Sequence, residues 1–218
     1  IDGGDLKRFI KDTNKKAWPV AEAVMSEIHG EISIQDLHLL AMKSSNSDII
    51  RISNEYLPLT FSRRHGDPSR PWNQFSIDNK NEDGSPRFDF QGNWRDIFQN
   101  WEALSLSFPE FVENIISKFV NATTADGYNP YRIMRDGIDW ESPDPDDPWS
   151  YIGYWGDHQI IYLQKLLELS DSYHPGKLDK MLAEEVYAYA NVPYRIKPYA
   201  EIVRDPKNTI VFNKELNK

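Results

Sequence analysis

The chain contains no cysteine, so disulfides and thiolate metal sites are excluded. It has no run of about 18 apolar residues, which excludes a transmembrane helix, and no signal-peptide pattern stands at its start. Cations are in deficit: 25 Lys and Arg face 34 Asp and Glu, a formal net charge of −9. A nucleic-acid or anionic-membrane partner needs a surplus of Lys and Arg to neutralise phosphate, and that surplus is missing. A reducing cytosol is the compartment these absences favour, and no cofactor is expected. The chain also lacks an initiating methionine and opens on Ile1, which fits a piece of something longer. Its 218 residues are enough for one ordinary domain with a buried core.

Aromatic residues, by contrast, are abundant and unevenly placed. Six of the seven tryptophans lie between Trp72 and Trp155, and seven of the eleven glycines between Gly66 and Gly156. Core tryptophans would scatter along a chain. Aromatics crowded among Gly, Pro, Asp and Asn in long loops are what a ligand-lined cleft requires.

The helical reading is clearest at the N-terminus, where residues 4–57 carry four segments. Leu6, Phe9 and Ile10 mark the first. Pro19 heads a second, with Ala23, Val24 and Ile28, that stops at Gly30. Ser33 or Ile34 opens a third with Leu37, Leu40 and Ala41, and Ser47 or Asp48 a fourth with Ile49, Ile52, Tyr56 and Leu57. His29 and His38 have no carboxylate or second histidine at ligand spacing, so they read as partly buried residues and no metal is expected.

Two long loops interrupt the helices. From Pro58 to Gln91 helical periodicity is low, and Arg63, Arg64, His65, Asp67, Arg70 and Trp72 crowd one stretch of it. Its arginines suit either salt bridges that tie the loop down or a clamp on a phosphate or carboxylate group. The second loop, Asp126 to Gly156, is rich in carboxylates. Asp139 and Glu141, flanking Trp140, are the candidates for the acid and base of glycosidic cleavage, which needs two carboxyls across a sugar. The Asp144–Asp147 cluster reads as a solvated loop, with calcium coordination as its alternative.

Between the loops, Trp94, Ile97, Phe98, Trp101, Leu104 and Phe108 form one apolar helical face that opens on Asn93 as N-cap, with Arg95 and Asp96 in the first turn. A guanidinium, a carboxylate and an indole side by side can grip a polyol, through bidentate hydrogen bonds and an apolar ring. An ion pair that solvates the helix start is the plainer reading of the same residues. Pro109 then begins a second helix with Phe111, Val112, Ile115, Ile116, Phe119 and Val120, the pair forming a hairpin. The Asn121-Ala122-Thr123 sequon reads as accidental. Tyr154-Trp155-Gly156-Asp157-His158 repeats the arrangement of an aromatic loop before polar groups at a helix head, and Ile160 to Leu167 continue that helix. A further helix is predicted over 178–190, and the tail 191–218 holds only a short extended run, Thr209 to Phe212.

The stretch from Gly92 to Leu169 resembles the middle of the six-hairpin (α/α)6 toroid enzymes that act on oligosaccharides, especially the cellobiose-phosphorylase-like and amylo-1,6-glucosidase-like proteins. In those families an aromatic-Arg-Asp at a helix head holds the sugar in the −1 subsite, and Trp94-Arg95-Asp96 matches it. The phosphorylases follow with Gln-Asp, where this chain has Gln99-Asn100, so Gln99 fits and Asn100 departs. Asp157-His158-Gln159-Ile160-Ile161-Tyr162-Leu163 is similar to another of their helix starts. Their Gly-Asp-Trp-Asn-Asp motif, which carries the catalytic acid, does not occur here.

The resemblance implies an all-α fold of helical hairpins around a sugar cavity. In that cavity the resemblance places Trp94, Arg95, Asp96, Gln99, Asp157 and His158 as substrate-binding; the reading of the two long loops adds Trp140, Trp155, Arg64 and His65 as substrate-binding and Asp139 and Glu141 as catalytic. The helical stretches total about 125 residues, room for roughly eight helices rather than twelve. An incomplete ring follows, closed by the rest of the same toroid or by a second subunit. Residues 1–57 and 58–190 would form one domain, followed by an irregular tail. Three functions stay open: a glycoside-hydrolase-like enzyme or its sugar-binding part acting on an oligosaccharide substrate, a non-catalytic carbohydrate-binding or helical interaction module, and a glycoside phosphorylase.

Overall fold

Helix α1 (Gly3–Thr13) begins where the Asp2 side chain accepts from the Asp5 backbone N–H at 2.6 Å, and it buries Leu6, Phe9 and Ile10. This is a computed structural model, and it describes residues 1–58, 80–85, 87–125, 127–140, 146 and 160–216. Helix α2 (Trp18–Met25) has Pro19 in its first turn, where the missing N–H costs no hydrogen bond. It ends earlier than its apolar pattern suggests. Ser26 turns its hydroxyl back onto the Ala23 carbonyl at 2.6 Å, and Ile28 and Gly30 lie beyond the helix. Gly30, at φ 82°, turns the chain so that residues 1–3 and 30–32 run side by side. The approach is tight: a Cβ on Gly3 would lie 2.7 Å from the Gly30 carbonyl oxygen.

Helices α3 (Ile34–Lys43) and α4 (Ser47–Glu55) start as expected, capped by Ser33 and Asn46. Ser33 both accepts from the Asp36 N–H and donates to the Asp36 carboxylate, a reciprocal cap that fixes this helix start.

The second half is built around α6 (Val112–Asn121), which follows α5 (Trp94–Ser105) through a 3₁₀ turn at Pro109–Phe111. Residues 112–119 are all buried, so this helix has no solvent face over that stretch. It packs on α4, on α5 and on α7 (Ile160–Tyr173). Its polar side chains therefore need internal partners. Asn114 donates to the Tyr56 carbonyl at 2.9 Å, and the Lys118 ammonium donates to the Arg135 carbonyl at 3.1 Å. Burial holds the Lys118 ammonium below the usual lysine pKa.

One hydrophobic core runs from Leu6 to Leu166 and joins the N-terminal helices to α5, α6 and α7. The fold is all-α in class. Two small sheets nevertheless appear where loops and tail were expected. Strands β1 (Gln91–Asn93), β2 (Arg132–Met134) and β3 (Ile138–Asp139) form an antiparallel sheet in which Gly92 faces Ile133 and Arg132 faces Asp139. Strands β4 (Tyr194–Ile196) and β5 (Ile210–Phe212) form an antiparallel pair in the tail, with a short helix α9 (Tyr199–Arg204) between them. Strand β5 falls within the extended run expected over Thr209 to Phe212; the other strands, of two or three residues, carry no periodicity long enough to read.

Helix α8 is shorter than predicted, spanning Lys177–Leu182 only. Beyond it the chain turns to outside partners. The Ala188 N–H donates to the Asn121 side chain at 2.8 Å and the Ala190 N–H to the Thr123 carbonyl at 3.0 Å. Asn121 of the sequon also donates to Glu55 at 2.7 Å, so its amide is a structural tie. No helix among the described residues is long and apolar enough to cross a membrane.

Candidate functional site

The Trp94-Arg95-Asp96 head sits at the start of α5, with the Trp94 N–H donating to the Tyr131 carbonyl at 3.2 Å. Trp94 is 0 % exposed and packs against Phe98 and Phe119, with ring centroids 4.7 and 4.9 Å away. The stacking platform expected of it is therefore corrected: the indole is core, because it continues the stripe of Ile97, Phe98 and Trp101. Asp96 is also buried. The Asn93 amide donates to its carboxylate at 3.5 Å instead of accepting from the helix as an N-cap would. Arg95 is half-buried and Gln99 exposed. None of these four residues lines either of the two cavities considered below.

Asp139 forms an ion pair with Arg132 across the β2–β3 register. A general acid needs a protonated carboxyl in a desolvated setting. Asp139 is instead 39 % exposed and held by a guanidinium, which makes it a cross-strand tie. Trp140 is half-buried and meets Tyr194 edge-on at 5.8 Å, joining the two sheets. Arg64, His65, Glu141, Trp155, Asp157 and His158 lie outside the described residues, as do Arg63, Asp67, Arg70, Trp72, Asp144 and Asp147.

The chemistry that the described residues do bring together lies elsewhere, in a cleft of about 430 Å³ between α1 and the three-stranded sheet. Its floor is a buried network. Arg135 pairs with Asp5, donates to the Phe88 carbonyl at 2.6 Å and lies over the rings of Phe9 and Tyr56. Tyr56 donates its hydroxyl to the same Asp5 carboxylate at 2.7 Å. Burial first, and the Asp5 hydrogen bond second, push the Tyr56 phenol well above its usual pKa.

The rim alternates in charge, with Arg8 and Asp12 from α1, Arg87 and Asp89 before β1, and Asp136 after β2. Arg87 and Asp89 pair at 3.0 Å. The Asp89 carboxyl is pushed above the usual range, chiefly by burial and further by the Asp136 charge, against the opposing pull of Arg87 and Arg135. Guanidiniums, carboxylates and the half-buried Phe88 ring around one cleft are the groups that hold a polyol: paired hydrogen bonds for hydroxyls and a ring for C–H faces.

The sequence pattern marks Phe9 of this cleft only as an apolar helix position and Asp136 only as part of the carboxylate-rich loop from Asp126 to Gly156. Asp5 and Arg135 are 130 positions apart, and no local pattern links them. The visible signal was Arg87-Phe88-Asp89, a cation, ring and carboxylate run just before a strand.

Residues 1–58, which comprise α1 to α4, match the family model for glycoside hydrolase family 149 insertion domain 1. No curated protein matches the chain. The matched span supplies Asp5, Arg8, Phe9 and Asp12 to the cleft and lies apart from the Gly92–Leu169 stretch. The four N-terminal helices of this chain are thus similar to an insertion described for a glycoside hydrolase family.

Proposed function

We propose that this chain is a non-catalytic, sugar-holding part of a carbohydrate-active enzyme, with the cleft between α1 and the three-stranded sheet as its binding surface. The observation that carries this reading is the cleft's composition: three arginines and four aspartates surround the half-buried Phe88 ring, and one wall comes from the helices matched to the insertion domain. Arg87 and Asp136 would take hydroxyls in paired hydrogen bonds, Phe88 would cover a C–H face, and Asp5 with Arg135 would keep the floor rigid. The remainder of the toroid, or a second subunit, would supply the acid and base.

One observation favours a catalytic reading instead. Asp89 is pushed above the ordinary carboxylate range, chiefly by burial, with Asp136 adding to the push. It nevertheless pairs with Arg87 at 3.0 Å, just as Asp139 is paired with Arg132, so a proton-donor role requires a bound sugar to displace that guanidinium. A single experiment separates the two. The chain is titrated calorimetrically with a panel of gluco-oligosaccharides, and the same mixtures are assayed for new reducing ends, for wild type, Asp89→Asn and Asp136→Ala. Saturable binding that Asp136→Ala weakens, without cleavage, is the expected result. Cleavage that vanishes in Asp89→Asn would replace the binding module by an enzyme. Heat-silent titrations across the panel, confirmed by an unchanged melting temperature, would remove the cleft from carbohydrate recognition.

A further inference from the structure

A second cavity, of about 490 Å³, opens where α3, α4, α6 and α8 meet, and it is independent of the cleft above. Its floor is made by two neighbouring side chains of α6, Glu113 and Asn114, each 1 % exposed. Both carry an oxygen without a hydrogen-bond donor.

For Asn114 the amide orientation is fixed by its surroundings. Nδ2 donates to the carbonyls of Tyr56 at 2.9 Å and Ser53 at 3.4 Å, so Oδ1 is the atom left over. For Glu113, Oε1 accepts from the Ser170 hydroxyl at 2.6 Å and meets His174 Nδ1 at 2.7 Å, while Oε2 has no hydrogen-bond partner. The nearest cation to Oε2 is the Lys177 ammonium, 3.5 Å away on a side chain that is 39 % exposed.

His38 completes the wall. Burial first, and the Lys177 charge second, push it down to about 4, so the ring is neutral at physiological pH, and its buried Nε2 also lacks a partner. The cavity is flanked by Met42, Ile50, Pro175 and Met181.

A buried carboxylate oxygen held only by the long Lys177 ion pair, an amide oxygen without a donor, and an imidazole whose Nε2 accepts in one of its two neutral tautomers are complementary to a group with several N–H donors and a positive charge. Among the described residues no three His, Asp or Glu side chains gather as a metal site would need. We infer that this cavity binds a small primary amine, its ammonium group on Glu113 Oε2 and Asn114 Oδ1 and its carbon body against Met42, Ile50 and Met181. Lys177 is the resident competitor. Its flexible ammonium covers the carboxylate when the cavity is empty and swings out when the ligand enters.

The test is a titration of the whole chain, followed by amide chemical shifts, with n-butylammonium and with 1-butanol as the uncharged match. Saturable shifts in α6 and around His174 are expected with the ammonium. The alcohol should bind about tenfold or more weakly, the difference a charge-assisted hydrogen bond makes. Lys177→Met should tighten ammonium binding. Glu113→Gln should abolish it, but this variant also disturbs Ser170 and His174. Met42→Trp therefore serves as the second variant, since Met42 is 47 % exposed at the mouth and its enlargement blocks the cavity without touching the network. It should remove binding and leave the melting temperature in place. A parallel pair, glucosamine against glucose, reports whether the amine is carried on a sugar. Equal affinity for ammonium and alcohol, no saturable shift with either amine, or retained binding in Met42→Trp would overturn the proposal.

Discussion

Replacing Trp94 by alanine separates a core indole from a sugar platform. The side chain is 0 % exposed and makes ring contacts with Phe98 and Phe119. A buried indole removes roughly 150–250 Å² from water, roughly 4–6 kcal/mol at about 25 cal/mol/Å². Extended-chain references overstate that exposure, and alanine retains its own methyl, which brings the expected loss to about 3–5 kcal/mol. The buried Nε1–H has no hydrogen-bond partner, so its removal gives back about 1 kcal/mol and places the cost at the lower end of that range. Urea unfolding followed by circular dichroism reads it as a fall in midpoint at constant slope. Trp94→Phe keeps most of the area and should recover more than half of the loss. A variant that unfolds like wild type but no longer binds oligosaccharide would refute the assignment of Trp94 to the core.

Three further outcomes are expected. Because His38 lies near 4 when folded, against an ordinary value of 6.5, the unfolded chain binds the extra proton between those values. Stability should therefore fall by up to about 3 kcal/mol as the pH drops through that window, and His38→Gln should flatten that part of a stability–pH curve measured by denaturant titration. Asp89 has the opposite sign: its folded carboxyl holds its proton more tightly than the unfolded one, so its contribution is lost as pH rises. Asp89→Asn should consequently raise the melting temperature at neutral pH, and a fall would contradict the burial account. Gly3→Ala places a methyl 2.7 Å from both the Gly30 carbonyl oxygen and Ile28 Cγ2, one of them backbone that cannot step aside. A cost of about 1–3 kcal/mol is expected in thermal melts.

The four N-terminal helices were legible because their caps and their apolar spacing agree. Ser33 with Asp36, and Asn46 ahead of Ile49, mark starts that the chain uses. Trp94 was misread although its signal was present, since the spacing that makes it part of an apolar stripe is itself evidence of burial. On α6 the face bearing Glu113 and Asn114 lies away from Ile115 and Phe119, with Lys118 at its flank, and a one-helix view assigns it to solvent. Only the packing of α4, α5 and α7 around it makes that face interior. Long-range pairs such as Asp5 with Arg135 and Glu113 with Ser170 leave no local trace, so the cleft and the cavity they help build were out of reach.

The way α6 is enclosed bears on how the module can be cut from its surroundings. Asn114 holds the carbonyls at the end of α4, Asn121 holds Glu55, and Arg135 holds Asp5 and lies over Phe9. A peptide truncated after Pro58 would retain all four of its helices yet lose every one of those ties and uncover the α4 surface on which α6 rests. The span similar to an insertion domain is therefore expected to melt at a lower temperature alone than within the chain, and a graft of it should gain stability when α6 is carried along.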